Sequence, residues 1–215
     1  HLFYTAYNKK IFNLFHSVRE EGKFNKPEPV ARFEGNIKGA FFPAVKFNKN
    51  SAVVLWQTKE ESYTDHLYFV KSEDYGESWS NVEKITTGKN NNQAPAIEIH
   101  DDIIYLVYMN NSEKNWALNM LRGYRLGDRW DEVPLKVSAT NANCFSPDVT
   151  MGPDNELFVT WYDLREKGSR IFYRKYSARS RELLEENKLS AKQVPGRNPV
   201  ALGSGKKLLV FWEEG

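Results

Sequence analysis

The sequence predicts an all-β chain built from repeated four-stranded antiparallel units. Three series of residues carry that reading. Prolines stand at Pro43, Pro95, Pro147 and Pro199, each 52 residues from the next. An aromatic residue inside a hydrophobic run follows each proline: Trp56, Tyr108, Trp161 and Trp212, at intervals of 52, 53 and 51. Gly76 and Gly127, and likewise Trp79 and Trp130, stand 51 apart. Concordant series of this kind mark a repeat, and a period near ~50 residues lies in the range of β-propellers. An aromatic content of 14% suits packed sheets.

In the unit that opens at Pro43, the strands are expected at about 43–47, 52–57, 66–72 and 82–86. The run Ala52-Val53-Val54-Leu55-Trp56 is apolar without alternation, as in a strand buried on both faces. The unit from Pro95 repeats this, with second and third strands at 102–109 and 117–122. The unit from Pro147 has them at 157–162 and 170–177, and its charged stretch 178–188 admits a short helix. At the front, 2–7, 10–17 and 28–33 match the second, third and fourth strands. At the end, 198–202 and 207–212 match the first and second. The expected organisation is one propeller domain or segment over 1–215. It holds a partial blade 1–42, full blades 43–94, 95–146 and 147–198, and a partial blade 199–215. Both a four-bladed ring with a spare strand and a section of a larger propeller fit this count. No proline-rich or glycine-rich linker divides it.

Thirty Lys and Arg stand against 28 Asp and Glu, a net charge of +2. That balance gives no case for a nucleic-acid partner. No run approaches the ~18 apolar residues of a membrane-spanning helix. The start at His1 reads as a processed or excised piece. Cys144 is the sole cysteine, which leaves no intrachain disulfide and no cysteine metal site; a buried small hydrophobe is expected there. His1, His16, His66 and His100 show no metal-ligand spacing, and no cofactor motif is present. Asn110-Asn111-Ser112 fits the glycosylation pattern, a short match.

Ser72-Glu73-Asp74-Tyr75-Gly76-Glu77-Ser78-Trp79 reads S-x-D-x-G-x-x-W between two expected strands. Asp74 can accept turn N–H groups, Gly76 can take a positive φ, and Trp79 can fold over the hairpin. This pattern is the Asp-box, or BNR repeat. With the 52-residue period it makes the chain resemble the sialidase-like β-propellers. Trp161-Tyr162-Asp163-Leu164-Arg165 with Ile171-Phe172-Tyr173 is similar to segments of secreted bacterial BNR-repeat proteins. The resemblance implies a structural role for Ser72, Asp74, Gly76 and Trp79, on the side opposite an active-site face. It also implies a place outside the cytoplasm: extracellular, periplasmic or cell-surface.

Sialidases of this family hold the substrate carboxylate with three arginines, beside a Tyr nucleophile with a Glu partner and an Asp acid/base. Planar guanidinium forks suit a carboxylate. Arg197-Asn198-Pro199 is the nearest match to the family's R-I-P tripeptide. It departs in carrying Asn198 for an apolar residue and in lying late in the chain. No partner arginines follow from motif. The loops expected on the channel face carry Asn92, Gln93, Asn143, Asp163, Arg165, Arg197 and Asn198. Their amides suit sugar hydroxyls. Against that, loops are polar anyway, Arg197 reads equally as a solvated arginine, and Asp163 with Arg165 as an inter-blade salt bridge. Glu60, Glu113, Asp163 and Glu213 are the carboxylates available for a glycosidase pair. The reading is a non-catalytic module that binds glycan or another protein chain or serves as scaffold. The alternative is a fragment of an exo-sialidase or related glycoside hydrolase.

Overall fold

The computed structural model describes residues 1–8, 11–31, 39–60, 63–191, 194–204 and 207–215. Lys10, Arg32, Phe33 and Glu61, which the sequence assigns to strands or loops, lie outside them. The chain forms two compact units, His1–Pro95 and Ala96–Gly215.

In the first unit β1 (Leu2–Asn8) and β2 (Ile11–Ser17) pair antiparallel. A small ribbon of β3 (Arg19–Glu20) and β4 (Lys23–Phe24) follows, and β5 (Glu28–Pro29) returns to β2. The next sheet holds β6 (Phe41–Asn48), β7 (Ser51–Lys59), β8 (Asp65–Ser72) and β9 (Glu83–Lys84), in that order.

The second unit takes in most of β10 (Asn92–His100), followed by β11 (Ile103–Asn110) and β12 (Ala117–Tyr124). The short strands β13 (Arg129–Trp130) and β14 (Leu135–Lys136) both pair with β12. Then come β15 (Cys144–Met151), β16 (Glu156–Glu166), β17 (Gly168–Ser177) and β18 (Glu182–Lys188), again paired in chain order. The last sheet has two strands, β19 (Gly196–Ser204) and β20 (Lys207–Glu214). The stretch 178–188 is a turn and a strand, not a helix. Pairing with β17 supplies its backbone partners and outweighs local propensity.

Trp56, Tyr108 and Trp161 fall on the second strand of their sheets and are buried. Their ladder partners are Tyr68, Asn119 and Phe172. These second strands are apolar on both sides because both faces are covered.

The repeating prolines have a common cause. Register shifts fall at Phe41/Ala44, Phe145/Asp148 and Arg197/Val200, each a bulge around a proline. A proline is tolerated there because a bulge leaves a residue out of the ladder. The residue before each proline is left-handed: Phe42 (φ 52), Ala94 (φ 50), Ser146 (φ 48) and Asn198 (φ 49). A non-glycine residue in that region is uncommon, so its recurrence at every 52nd position marks a built feature.

Within the second unit, side chains of one first strand bond the backbone of the next. Met151 N donates to Glu98 Oε2 at 3.2 Å, and Ala201 N to Asp148 Oδ2 at 2.7 Å. Gly203 N donates to Thr150 Oγ1 at 3.2 Å. Donor and acceptor are 53 residues apart each time. Gly203 sits where β19 meets β15, and a Cβ there would lie 2.0 Å from the Met151 carbonyl oxygen.

In the first unit the 72–79 hairpin closes on side chains. Gly76 N donates to Ser72 Oγ at 2.7 Å, and Ser72 Oγ donates to Asp74 Oδ1 at 2.7 Å. Asp74 also accepts Ser78 N at 2.9 Å and Ser78 Oγ at 2.5 Å. Tyr75 (φ 61) and Gly76 (φ 91) make the reversal. Trp79 stands edge-on to Phe3 and His16, both at 5.8 Å.

Two outcomes follow. Gly203→Ala forces β15 and β19 apart and is expected to destabilise the chain by about 1–3 kcal/mol. An unchanged urea midpoint would count against the close approach. The Ser78 hydroxyl and N–H, with Ser72, hold the Asp74 carboxyl down at about 2. Its contribution to the hairpin is therefore full above the ordinary value of ~3.9 and is lost as pH falls through the folded one. A carboxyl carbon titration by NMR should show its midpoint near 2; a midpoint near ~3.9 would contradict the geometry.

Candidate functional site

The loop ends of the sheets carry an ion pair that repeats with the fold. Lys84-Ile85-Thr86, Lys136-Val137-Ser138 and Lys188-Leu189-Ser190 stand 52 residues apart. The hydroxyl of each accepts a third-strand N–H: Leu67 to Thr86 at 2.9 Å, Leu118 to Ser138 at 3.1 Å, Ile171 to Ser190 at 3.0 Å. The middle residue's N–H returns to the same third-strand residue at 2.7–2.8 Å. The lysine then reaches a glutamate at or just past the end of the second strand: Lys84 to Glu60 at 2.5 Å, Lys136 to Glu113 at 2.8 Å, Lys188 to Glu166 at 2.8 Å. Two of the four carboxylates singled out from the sequence, Glu60 and Glu113, are thus in structural pairs. The lysine tripeptide was visible at the same period as the prolines.

Glu60 also accepts the Tyr68 hydroxyl at 2.5 Å. Burial works against the Glu60 charge, but the hydrogen bonds from Lys84 and Tyr68 outweigh it and lower its pKa. Burial and the Glu60 carboxylate raise that of Tyr68. The phenol keeps its proton at neutral pH.

Asn92 and Gln93 both lie in the first unit. Gln93 Nε2 donates to Asp65 Oδ2 at 2.6 Å, and Lys59 Nζ reaches the same oxygen at 3.3 Å. Asp65 N donates to Asn91 Oδ1 at 2.9 Å, and Asn92 Nδ2 to Asn90 O at 3.0 Å. The Gln93 and Asn91 bonds tie the start of β10 and the residues before it to the start of β8, and Asn92 is buried.

In the second unit Asp163 is fully buried. It accepts Trp161 Nε1 at 3.1 Å, Arg165 N at 3.1 Å and Arg165 Nη2 at 2.6 Å. The Arg165 guanidinium lies 3.9 Å over the Phe172 ring and also bonds Glu186. Glu186 in turn accepts Ala139 N at 2.9 Å. Asp163, Arg165 and Glu186 all belong to the β15–β18 sheet, so the pair is internal to one sheet. Glu186 is the partner that sequence spacing did not reveal. Asn143 Oδ1 accepts Trp116 N at 2.9 Å, which pins its loop. Cys144 is buried beside it, and burial pushes its thiol up to about 12.

Asn198 and Arg197 are placed differently. Ser146 Oγ donates to Asn198 Oδ1 at 3.0 Å, and Asn198 Nδ2 donates to Glu213 Oε2 at 3.1 Å. Ser146 and Asn198 are the left-handed residues of two successive bulges. Arg197 is exposed, opposite Glu213 in the ladder. Arg122, Arg165, Arg170 and Arg174 all bond groups inside the unit. Among the described residues no group of three or more His, Cys, Asp or Glu could hold a metal ion.

No family model and no curated protein matches the sequence. Solved structures do match. A protein of unknown function from Dyadobacter fermentans is 15% identical with a TM-score of 0.68, over 86% of this chain and 64% of that one. An endo-arabinase from Bacteroides thetaiotaomicron is 11% identical with a TM-score of 0.64, over 98% and 83%. A sialidase from Trypanosoma rangeli in complex with 2,3-difluorosialic acid is 10% identical with a TM-score of 0.60, over 93% and 37%. This chain therefore spans 64% of the Dyadobacter protein's length and a smaller share of the sialidase's. The sheets, their pairing order and these matches together give the chain the all-β fold of the sialidase-like propellers, in four-stranded antiparallel blades.

Proposed function

We propose that the chain is a non-catalytic propeller segment of the Asp-box class, working outside the cytoplasm and binding glycan through Arg197, Asn198 and Ser146. The observation that carries the non-catalytic half is the state of the carboxylates. Glu60 and Glu113 are held by lysines, Asp163 by Arg165 and Trp161, and Glu213 by Asn198. A glycosidase of the carboxylate-pair kind needs one carboxyl that can protonate a leaving group and one free to attack or activate water. The Ser72–Trp79 hairpin supports the Asp-box reading, with Asp74 as its internal acceptor. The glycan half is supported by an exposed chain of hydroxyl, amide and carboxylate beside an arginine without a side-chain partner among the described residues. Such groups match sugar hydroxyls and an acidic sugar's carboxylate. The fold is also shared with proteins described as an arabinase and a sialidase.

Titration calorimetry with sialyllactose and with arabino-oligosaccharides tests this. One of the two is expected to bind, with affinity falling about tenfold or more on Arg197→Ala and on Asn198→Gly, a loss of about 1.4 kcal/mol. Glycine is chosen at 198 because it keeps the positive φ. Neither sugar should be hydrolysed. Turnover that disappears in Arg197→Ala would replace this reading with that of a hydrolase segment. Binding of neither sugar would remove the glycan half.

A further inference from the structure

The ladder position of Arg197 and Glu213 is filled by two aromatic residues in the sheet before it. Phe145 pairs with Tyr162 across β15 and β16 as Arg197 pairs with Glu213 across β19 and β20. The two rings stack, with centroids 5.3 Å and planes 30° apart. Alternation along β16 sets their side of the sheet. Phe158, Thr160 and Tyr162 share one face, while Trp161 and Asp163 are fully buried on the other. Asp148 and Thr150, the ladder partners of Thr160 and Phe158, bond the backbone of β19. The aromatic pair thus stands on the face along which β19 runs, at its loop end.

Further along that face Phe158 and Thr160 are buried, but Phe145 and Tyr162 are only half-buried. The Tyr162 hydroxyl has no hydrogen-bond partner among the described residues. Polar groups border the rings. Ser146 follows Phe145 in the bulge and donates to Asn198 Oδ1 at 3.0 Å, and Asn198 passes on to Glu213. An aromatic pair and a hydroxyl–amide pair therefore lie side by side, one peptide bond apart. That combination selects among sugars. The electron-rich face of an aromatic ring attracts weakly positive C–H groups and takes a flat C–H surface out of water. A β-linked pyranose offers such a surface on its face and hydroxyls around its edge, which amides and hydroxyls can meet. A smaller, puckered furanose offers less of it. We propose that Phe145 and Tyr162 form a stacking subsite for a neutral pyranose unit, so that the ligand is a pyranoside oligosaccharide and not an arabinofuranoside. This rests on the glycan reading of the Ser146, Arg197 and Asn198 site.

Titration calorimetry with lactose, a neutral pyranoside, and arabinotriose, a furanoside, reads the subsite; sialyllactose reads the neighbouring arginine. Lactose is expected to bind at least about tenfold tighter than arabinotriose. Tyr162→Leu fills similar space without a ring face and should weaken lactose about tenfold, with an unchanged urea midpoint showing that the fold is kept. Tyr162→Phe keeps the ring and should stay within about twofold of the parent chain. Arabinotriose binding as tightly as lactose would overturn the proposal. So would a Tyr162→Leu chain that binds both pyranosides like the parent; if Arg197→Ala still weakened sialyllactose, the glycan reading would stand without the subsite. Binding of none of the three sugars would remove both.

Discussion

The first strand of each sheet has an edge that its own sheet does not use. Edge N–H groups left without a partner cost about 1–3 kcal/mol each when buried, and bare edges template wrong pairings. In the second unit the preceding first strand supplies the acceptors: Glu98 for Met151, Asp148 for Ala201, Thr150 for Gly203. This arrangement constrains much else. The acceptor must recur in step with the donor, which ties the repeat to 52 or 53 residues. Two backbones must come close, which requires a glycine at 203. The strand must also bend away at the loop end, which the bulges around Pro147 and Pro199 achieve.

The same economy governs the ionisable groups. Glu60 and Glu113 look like candidates for chemistry when read singly. Each is instead held by the lysine of a K-x-(S/T) tripeptide that closes its sheet. Asp163, the most buried of the acidic candidates, has its oxygens filled by Trp161 and Arg165. The ladder end around Arg197 and Asn198 is exposed.

Much of the fold was legible because it rests on residues with narrow roles. Pro43, Pro147 and Pro199 mark bulges, and Trp56 and Trp161 fill doubly covered strands. The Ser72–Trp79 spacing marks a hairpin whose side chains bond only within a few residues. The site was less legible. Asp163 and Arg165 are two positions apart in sequence, yet their third member, Glu186, comes from a strand two places away. Spacing cannot supply such a partner. The lysine tripeptides are less legible for another reason: Lys, Ser and Thr carry no apolar signal. Stretch 178–188 was ambiguous because its charges fit a helix or an outer strand, and only the β17 edge decides between them.

Native-state hydrogen exchange at the amides of Met151, Ala201 and Gly203 tests the linkage between first strands most directly. These N–H groups face away from their own sheets. If side chains of the preceding strand hold them, they should exchange with protection comparable to that of amides inside the β16 ladder, such as Val159. Exchange at the rate of an unstructured peptide would show the edges to be open, and the account of how the sheets are joined would fail.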